Sequence, residues 1–352
     1  MQRLTILSIA YPLAPVSPDA VGGSEQVLSS LDRALVAGGH RSIVVACEGS
    51  QVAGELWSYP APPAGQPIDD AVHRAGQEAI CRVTAEVLRR GDVNLIHMHG
   101  LDFHACLPPP GPPMLATLHL PPDWYPPAAF MPGRDQSWVH CVSDSQMLRA
   151  PPSPRMLPPI PNGVPVALLG AVQPAKRRFA LMLSRVCPEK GLHLALDAAR
   201  AADIPMLLGG GVFPYSAHQS YFEAEILPRL DRRRRYLGPV GFARKRRLLA
   251  TAQCLLVPSL VAETSSLVAM EAASCGTPVI AFRSGALPEV VEDGRTGFLV
   301  NDVQGMAEAI RRVHLIDPAV CRETARQRFS IERMAAAYLD RYRMLTRVAV
   351  PA

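Results

Sequence analysis

The stretch "AETSSLVAMEAASCGTPVIAF" (262–282) places two glutamates, Glu263 and Glu271, eight residues apart in an otherwise apolar segment. The run before it, "CLLVPS" (254–259), has the length and composition of a buried strand. Threonine and serine side chains follow Glu263, and such side chains commonly cap the first turn of a helix. We therefore expect a strand, a loop and a helix that begins at 265–266, where a helix N-terminus would favour anion binding.

The spacing of the two glutamates allows two interpretations. In the first, Glu263 is a capping acid and Glu271 is a solvent-exposed acid on the helix surface. In the second, eight helical residues span ~12 Å, which is about the length of a sugar–diphosphate–ribose unit. One carboxylate would then bind sugar hydroxyls and the other would bind ribose hydroxyls. Spacing alone leaves both interpretations open.

The same alternation of short apolar strands and amphipathic helices runs through the whole chain. It predicts parallel sheets with helices on both faces, and ligands bind beyond the carboxyl ends of such strands. We predict an α/β protein of two Rossmann-like domains whose parallel sheets face a central cleft, as in the GT-B architecture. The predicted strands are residues 4–10, 42–47, 94–99, 114–119 and 138–143, followed by residues 179–184, 205–210, 235–238, 254–259, 278–282 and 297–300.

The domain boundaries follow from a proline-rich segment, 150–165, that separates two copies of this pattern. Residues 1–165 form the predicted N-terminal domain, and residues 166–330 form the predicted C-terminal domain. The last segment, 331–352, contains a predicted helix at about 331–346. We expect this helix to cross back onto the first domain and to couple the domains during closure.

Composition and charge narrow the class of protein. The 352 residues are 48% hydrophobic and 19% charged, which is typical of a globular protein. The formal net charge of +5 fits an anionic small substrate, or weak peripheral contact with an anionic membrane, better than dedicated nucleic-acid binding. The sequence shows neither a signal peptide nor an apolar run of ~18 residues. A cytoplasmic location is therefore expected, at most peripheral at the inner membrane face.

The eight cysteines are scattered and form no Cys-x-x-Cys pair. Several, such as Cys254, lie in apolar surroundings. We interpret them as reduced core thiols of an intracellular protein rather than as disulfides or zinc ligands.

Two further segments carry groups that suit a phosphate ligand. Arg185 directly follows a predicted strand and Lys190 opens the next helix, so a guanidinium and an ammonium group could meet a diphosphate there. A solvent-exposed basic loop is the alternative. Gly22 and Gly23 precede another predicted helix, where glycine lets the backbone approach a ligand closely, although Gly-Gly turns are common.

Three histidines, His97, His99 and His119, lie at predicted strand ends, and the first two point to the same side of one strand. They could line the ligand cleft, fill the core, or bind a metal with a third ligand. No His-x-x-x-His or Asp-x-Asp pair supports a metal site. We therefore favour the cleft and expect no metal.

The stretch "DRRRRYLGPVGFARKRRLLATA" (231–252) has the charge of a nucleic-acid patch. It lacks aromatic side chains placed for base stacking. It also coincides with a predicted strand and an amphipathic helix, so we interpret it as a solvent-exposed basic edge.

Together these segments resemble the retaining glycosyltransferases of the GT-B fold, in the large fourth family. The similarity is strongest over 179–301, which includes "LSRVCPEKGL", "CLLVPS", "CGTPVIAF" and "GALPEVVEDGRTGFLV". Upstream, "GGSE", "IHMHG", "ATLH", "CVSDS" and "IPNGV" occur in the family's order. The resemblance implies transfer of a sugar from a nucleotide-diphosphate sugar, with retention of configuration and without a metal or another cofactor.

The resemblance implies roles for residues of the C-terminal domain. Arg185 and Lys190 match the pair that binds the donor diphosphate. Glu271 matches the glutamate that binds the donor ribose, and Glu263 matches the glutamate that contacts sugar hydroxyls. The helix-start residues that would meet phosphate or sugar are Ser266, Leu267 and Val268.

The resemblance also implies roles for residues of the N-terminal domain. Gly22 and Gly23 match the glycine loop near the donor phosphates, and His119 matches the histidine near the reacting carbon. Further candidates for the acceptor side of the cleft are His99, Ser143 and Asn162.

One departure from the family concerns the donor pocket. The family often has Glu-Pro-Phe-Gly where this chain has Glu-Thr-Ser-Ser (263–266), so the donor-sugar pocket is expected to differ in size and polarity. The acceptor would be a small molecule, a glycan or a lipid-linked sugar. A nucleotide-sugar 2-epimerase of the same architecture is the alternative enzyme. A nucleic-acid-binding module based on 232–235 and 244–247 is the alternative of another class.

Overall fold

The computed structural model describes residues 3–62 and 69–348. Within them the chain divides into two units. The first unit runs to Asn162 and includes the C-terminal segment from Ile331, whereas the second runs from Gly163 to Ser330. The proline pattern places the boundary slightly later, at residue 165. Residues 349–352 of the predicted last segment lie outside the described residues.

The first unit is built on a seven-stranded parallel sheet with the order β3-β2-β1-β4-β5-β6-β7. The strand order reverses direction between β1 and β4, which is where doubly wound sheets form their ligand crevice. β3 and β7 were not predicted, because β3 is largely exposed and β7 has only two residues. The strands are β1 (Thr5–Ile9), β2 (Arg41–Cys47), β3 (Glu55–Tyr59), β4 (Leu95–Met98), β5 (Met114–Thr117), β6 (Ser137–His140) and β7 (Met156–Leu157).

The second unit is built on a six-stranded parallel sheet with the order β10-β9-β8-β11-β12-β13. This order repeats that of the first six strands of the other sheet, with the switch between β8 and β11. The predicted α/β class with two Rossmann-like sheets is therefore confirmed. The strands are β8 (Arg177–Leu183), β9 (Met206–Gly209), β10 (Arg234–Tyr236), β11 (Ala252–Val257), β12 (Val279–Phe282) and β13 (Gly297–Val300).

Helices connect the strands, and none of the described helices is both long and apolar enough to cross a membrane. α8 ends before Gly276, whose φ of +68° stops the helix. The α-helices are α1 (Gly23–Ala37), α2 (Asp70–Arg89), α3 (Asp144–Arg149), α4 (Val166–Leu169), α5 (Leu192–Ala201), α6 (Ser216–Tyr221), α7 (Phe242–Thr251), α8 (Leu267–Ser274), α9 (Leu287–Val290), α10 (Val303–Arg312), α11 (Pro318–Arg328) and α12 (Ile331–Val348).

The central strands are buried on both faces, which explains their continuous apolar sequences. Every residue of β4, β5 and β12 is buried. α12 contributes two fully buried side chains, Tyr338 and Tyr342, to the first unit. The last helix is therefore part of the core of that unit.

The cysteines partly correct the sequence-based prediction. Six are free and buried, as expected for core thiols. Cys81 on α2 and Cys106 after β4 instead form a disulfide, with their Cα atoms 5.8 Å apart. The two residues are separated by 25 positions, and it is the packing of α2 against the loop after β4 that brings them together.

Candidate active site

The connection from β8 to α5 carries both predicted cations of the second unit. It continues alongside the end of β9, because the Val186 N–H donates to the Gly211 carbonyl at 3.0 Å. Lys190 ends a 3-10 turn, Pro188–Lys190. Arg185 is exposed, and no carboxylate of residues 3–62 or 69–348 forms an ion pair with its guanidinium. Its charge is thus directed to solvent or to a bound anion.

Lys190 forms an ion pair with Glu263, which lies on the loop between β11 and α8. The distance from Lys190 Nζ to Glu263 Oε1 is 2.6 Å, and the side chains are 24% and 9% exposed. The pair joins the two loops that follow β8 and β11, the neighbouring strands at the switch point. Two residues predicted separately from strand ends are therefore in direct contact.

The backbone of Glu263 is held by a close-packed glycine. Gly285 has a φ of +55°, and a Cβ at this position would lie 2.3 Å from the Glu263 carbonyl oxygen and 2.4 Å from its nitrogen. The next residue, Ala286, donates its N–H to the Glu263 carbonyl at 2.7 Å. Earlier in the loop, the Leu260 N–H donates to the Glu189 carbonyl at 2.8 Å. The loop is therefore tied both to the segment that follows β12 and to the turn of Lys190.

Glu271 forms a second ion pair, with Lys245 of α7. The distance from Lys245 Nζ to Glu271 Oε1 is 2.5 Å, and the side chains are only 15% and 4% exposed. Burial raises the pKa of Glu271 above its ordinary value, although the charge and hydrogen bond of Lys245 act in the opposite direction. Lys245 is therefore the group that favours the ionised form of this carboxylate.

The interpretation of 231–252 as a solvent-exposed basic edge is wrong in part, because the Lys245 side chain is only 15% exposed. Arg234 is also buried and bonds to Asp231 at 2.5 Å. Lys245 lies four residues before the buried Leu249, on the same helix face, and that register is the signal that could have identified it. The arginines that are exposed as predicted are Arg232, Arg235, Arg244 and Arg247.

The two glutamates are neither a capping acid nor a solvated acid. Their residues are 9% and 3% exposed, and each carboxylate is ion-paired. The eight residues are not all helical, as the ~12 Å estimate assumes, because α8 begins at Leu267 and Glu263 lies in the preceding loop. The distance between the two carboxylates therefore depends on the conformation of the loop before α8 and not on helical rise alone.

The N-terminus of α8 lies between the two glutamates in the sequence. Ser266 occupies the N-cap position but its hydroxyl makes no capping hydrogen bond. Its carbonyl accepts from the N–H groups of Ala269 and Met270, both at 3.1 Å. The N–H groups of Leu267 and Val268 have no acceptor within the helix, as expected for a first turn. These are the backbone donors that the resemblance assigns to phosphate or sugar.

The predicted histidines of the first unit form one hydrogen-bonded chain. His119 Nε2 lies 3.3 Å from His99 Nδ1, and His99 Nε2 lies 3.0 Å from His97 Nδ1. His97 Nδ1 also lies 2.6 Å from the Tyr342 hydroxyl of α12. The rings of His97 and His99 are 3.9 Å apart, so their predicted placement on one side of the strand is confirmed. These contacts use ring nitrogens for hydrogen bonding, which argues against a metal centre at these histidines.

The Cys141 carbonyl determines which ring nitrogen of His140 carries the proton, and this assignment extends to the histidines that follow. His140 Nδ1 lies 2.8 Å from the Cys141 carbonyl oxygen, which only accepts, so a neutral His140 carries its proton on Nδ1. Its Nε2 then accepts from the Thr117 hydroxyl at 2.8 Å. Thr117 Oγ1 in turn accepts from His97 Nε2 at 2.7 Å. The sequence analysis included neither His140 nor Thr117.

The tautomers of the other three histidines follow from the hydrogen bonds of His140 and Thr117. With its proton on Nε2, His97 accepts at Nδ1 from the Tyr342 hydroxyl and from His99 Nε2, and His99 accepts at Nδ1 from His119 Nε2. His119 therefore carries its lone pair on Nδ1. Burial lowers the pKa of His119 to about 4 and that of His140 to about 3, and it holds the pKa values of His97 and His99 well below the ordinary value. All four of these histidines are therefore neutral near pH 7.

Gly22 and Gly23 lie at the start of α1, as predicted. Gly22 has an ordinary extended backbone, with a φ of −80°. A Cβ on Gly22 would lie 1.8 Å from Oε2 of Glu25, a buried carboxylate that also accepts from the Ser24 hydroxyl at 2.9 Å. A side chain at position 22 would therefore displace the carboxylate of Glu25, which is the glutamate of the "GGSE" motif.

The other two first-unit candidates differ in their surroundings. Ser143 is the N-cap of α3, and its hydroxyl accepts from the Gln146 N–H at 3.2 Å, which gives it a local structural role. Asn162 is buried, and within the described part of the chain its Oδ1 has no hydrogen-bond partner. An acceptor of this kind needs a ligand or a water molecule as a partner.

Comparison with known proteins agrees with this arrangement. Residues 177–315 match the family described as "Glycosyl transferases group 1". AviGT4, a glycosyltransferase involved in avilamycin A biosynthesis, is 25% identical with a TM-score of 0.74, covering 98% of this chain and 99% of its own. Anabaena HepE, solved with UDP-glucose, is 20% identical with a TM-score of 0.71, covering 96% of this chain and 100% of its own.

A curated relative adds sequence similarity over a shorter region. The D-inositol 3-phosphate glycosyltransferase of Saccharomonospora viridis is 33% identical over 191 residues, which is 52% of this chain and 43% of the relative. The chain spans less than half the length of the curated relatives it matches.

Two parallel sheets of this strand order, with ion-paired glutamates at the switch point of the second, define the GT-B class of fold. Within that class, residues 177–315 match the glycosyl transferases group 1, the family that the resemblance indicated.

Proposed function

We propose that the protein is a retaining, metal-independent glycosyltransferase that moves a sugar from a nucleotide-diphosphate sugar to an acceptor hydroxyl. The observation that carries this proposal is the two ion pairs Lys190–Glu263 and Lys245–Glu271, together with the exposed Arg185 on the same connection as Lys190. Cations suited to phosphates and carboxylates suited to hydroxyls occur together on the segments after β8 and β11. No metal or other cofactor is needed for this chemistry.

The diphosphate is the part of the donor that Arg185 and Lys190 would hold. Negative charge grows on the diphosphate as the bond to the sugar breaks, and fixed cations and backbone amides stabilise that charge. The amides of Leu267 and Val268 would add to them. Lys190 is paired with Glu263 in this structure, so donor binding would exchange that carboxylate for a phosphate. The exchange would release Glu263 to accept hydrogen bonds from the sugar hydroxyls.

The ribose of the donor is the proposed ligand of Glu271. An ionised carboxylate accepts hydrogen bonds from both ribose hydroxyls, whereas a protonated one donates from one oxygen. Lys245 counteracts the effect of burial on this carboxylate. We therefore include Lys245 in the donor site as a positioning residue.

In the first unit, Gly22 and Gly23 are proposed to lie near the donor phosphates and His119 near the reacting carbon. The candidates for the acceptor side are His99, Ser143 and Asn162. The His119 ring is neutral near pH 7, because burial lowers its pKa to about 4. In the proposed front-face step, the acceptor oxygen bonds to the anomeric carbon on the face from which the diphosphate leaves. The acceptor proton passes to a diphosphate oxygen, so configuration is retained.

The test is a panel of UDP-, GDP-, ADP- and TDP-sugars in a thermal-shift assay, because a ligand that binds the folded state raises the melting temperature. UDP-glucose is the first donor to try, since HepE was solved with it. D-inositol 3-phosphate is a rational first acceptor, given the name of the curated relative. We expect one nucleotide class to stabilise the protein and transfer to survive EDTA.

Lys190→Met should reduce transfer by about 100-fold or more, since it removes a cation from the leaving group. Arg247→Met, at an exposed arginine, is the control. Formation of an epimerised nucleotide sugar without any acceptor would contradict the transferase proposal. Binding of DNA or RNA without a response to any nucleotide sugar would contradict it as well.

A further inference from the structure

Three side chains with metal-binding groups converge beside the turn that carries Lys190. They are Cys187, Glu189 and His218, and one ligand atom of each lies within 4.8 Å of the other two. Cys187 and Glu189 belong to the connection between β8 and α5, whereas His218 belongs to α6. We propose that this cluster is a zinc site, which revises the interpretation of Cys187 as an inert core thiol.

The chemistry of the three groups favours zinc over harder ions. Thiolate and imidazole ligands select Zn²⁺ rather than Mg²⁺ or Ca²⁺, which prefer oxygen. Sites with three protein ligands and one water molecule are common for zinc. With bonds of about 2.0–2.3 Å, ligand atoms around a tetrahedral zinc lie about 3.3–3.8 Å apart. The cluster therefore needs side-chain movements of only about 1 Å to close on the ion.

A second observation comes from the imidazole of His218. Its Nδ1 is buried and, among the residues that the structure describes, has no hydrogen-bond partner. The ring is flanked edge-on by Phe213 and Tyr215, at centroid distances of 6.4 and 5.1 Å. A buried, unpartnered ring nitrogen is costly unless a ligand satisfies it. Zinc bound by the ring would account for its position beside the thiol and carboxylate.

Zinc at this cluster would have a structural effect on the donor turn. It would tie α6 to the turn Pro188–Lys190, whose Glu189 carbonyl already accepts from Leu260 at 2.8 Å and from the Ser259 hydroxyl at 3.4 Å. The ion would thus stabilise the turn without touching the proposed reaction. Loss of zinc should lower stability and leave the metal-independent chemistry in place.

The test uses the tag-free full chain, treated with EDTA and then titrated with Zn²⁺ or Co²⁺. We expect one equivalent of Co²⁺ to give a thiolate-to-cobalt charge-transfer band and the intense visible bands of tetrahedral cobalt. Zn²⁺ should displace the cobalt and raise the melting temperature. Cys187→Ser should abolish the charge-transfer band, and His218→Gln should weaken Zn²⁺ binding by at least about 10-fold.

His314→Gln, at an exposed histidine of the same unit, is the matched control and should bind Zn²⁺ like the wild type. If Cys187→Ser fails to fold, His218→Gln and Glu189→Gln carry the comparison. The proposal is overturned if the wild type binds no Zn²⁺, or if cobalt binds without a thiolate band. It is also overturned if the affinity is unchanged in His218→Gln. None of these readouts depends on transferase activity, so this test is independent of the proposed function.

Discussion

A buried carboxylate keeps its charge only where a cation or hydrogen-bond donors replace the lost water, and Lys245 does both for Glu271. Lys245 counteracts the effect of burial on this carboxylate, which is the proposed ribose ligand. A substitution of Glu271 by alanine would leave Lys245 buried without its counter-ion. Glu271→Gln, which keeps the size of the side chain, therefore separates donor binding from folding better than Glu271→Ala does.

At this residue scale we predict that Lys245→Met lowers the free energy of unfolding by about 3 kcal/mol, because it leaves the Glu271 carboxylate buried without a partner. The double variant Lys245→Met/Glu271→Gln should recover much of that stability yet still bind nucleotide sugar weakly. Denaturant unfolding and donor titration measure the two effects. Simple additivity of the two single substitutions would show that the residues are not coupled.

The common location of residues that follow neighbouring strands could be predicted from the sequence. The ion-pair partner that Glu271 finds on another helix could not. Lys190 and Glu263 are 73 residues apart, but each follows a strand at the switch point, so their common location could be predicted. Lys245 lies on a different helix from Glu271, 26 residues away, and only the packing of α7 against α8 brings them together. His140 and Thr117 were missed for the same reason, because their roles depend on contacts between strands.

At the scale of elements, the loop between β11 and α8 depends on the close contact of Gly285 with Glu263. We predict that Gly285→Ala reduces donor affinity and transfer by about 10-fold or more, because a methyl group would overlap the Glu263 backbone. Gly294→Ala is the matched control. It has a similar φ, +74°, but no heavy atom within 4 Å of the added Cβ.

Both glycine variants should be less stable than the wild type because of backbone strain. Only Gly285→Ala should also bind the donor more weakly. Thermal unfolding and nucleotide-sugar titration of the two proteins distinguish the effects. Equal donor affinities in the two variants would show that the contact does not position Glu263.

Elements with continuous apolar sequences were the most predictable. β4, β5 and β12 are buried along their whole length and were all predicted from apolar runs. β3 escaped prediction because it alternates at an exposed edge, and the start of α8 was predicted only to within about two residues. The disulfide between Cys81 and Cys106 was missed because cysteine spacing carries no information about packing between α2 and a loop.

At the scale of the whole molecule, the buried histidines couple stability to pH. In the unfolded chain their pKa has the ordinary value of 6.5, whereas burial lowers it to about 4 for His119 and to about 3 for His140 in the folded protein. Below pH 6.5 the unfolded state therefore binds more protons. The stability from these groups is fully present above pH 6.5 and is lost progressively as the pH falls toward about 3.

We predict that the melting temperature falls between pH 7 and pH 5, and that the fall is shallower in His140→Gln than in the wild type. His314→Gln, at an exposed histidine, serves as the control and should follow the wild type. Unfolding curves at a series of pH values provide the measurement. Parallel pH profiles for wild type and His140→Gln would contradict the assignment.

The hydrogen-bonded histidine network ends at His140, and this limits how far a proton can be transferred along it. A proton taken up at His119 could move along the ring nitrogens only until it reached His140, where the Cys141 carbonyl neither accepts a proton nor releases one. Positive charge at that terminus would lie deeper in the core, where the pKa of His140 is about 3, below the value of about 4 for His119. The network therefore ends at His140, and a captured proton is expected to stay on His119, the ring with the higher pKa.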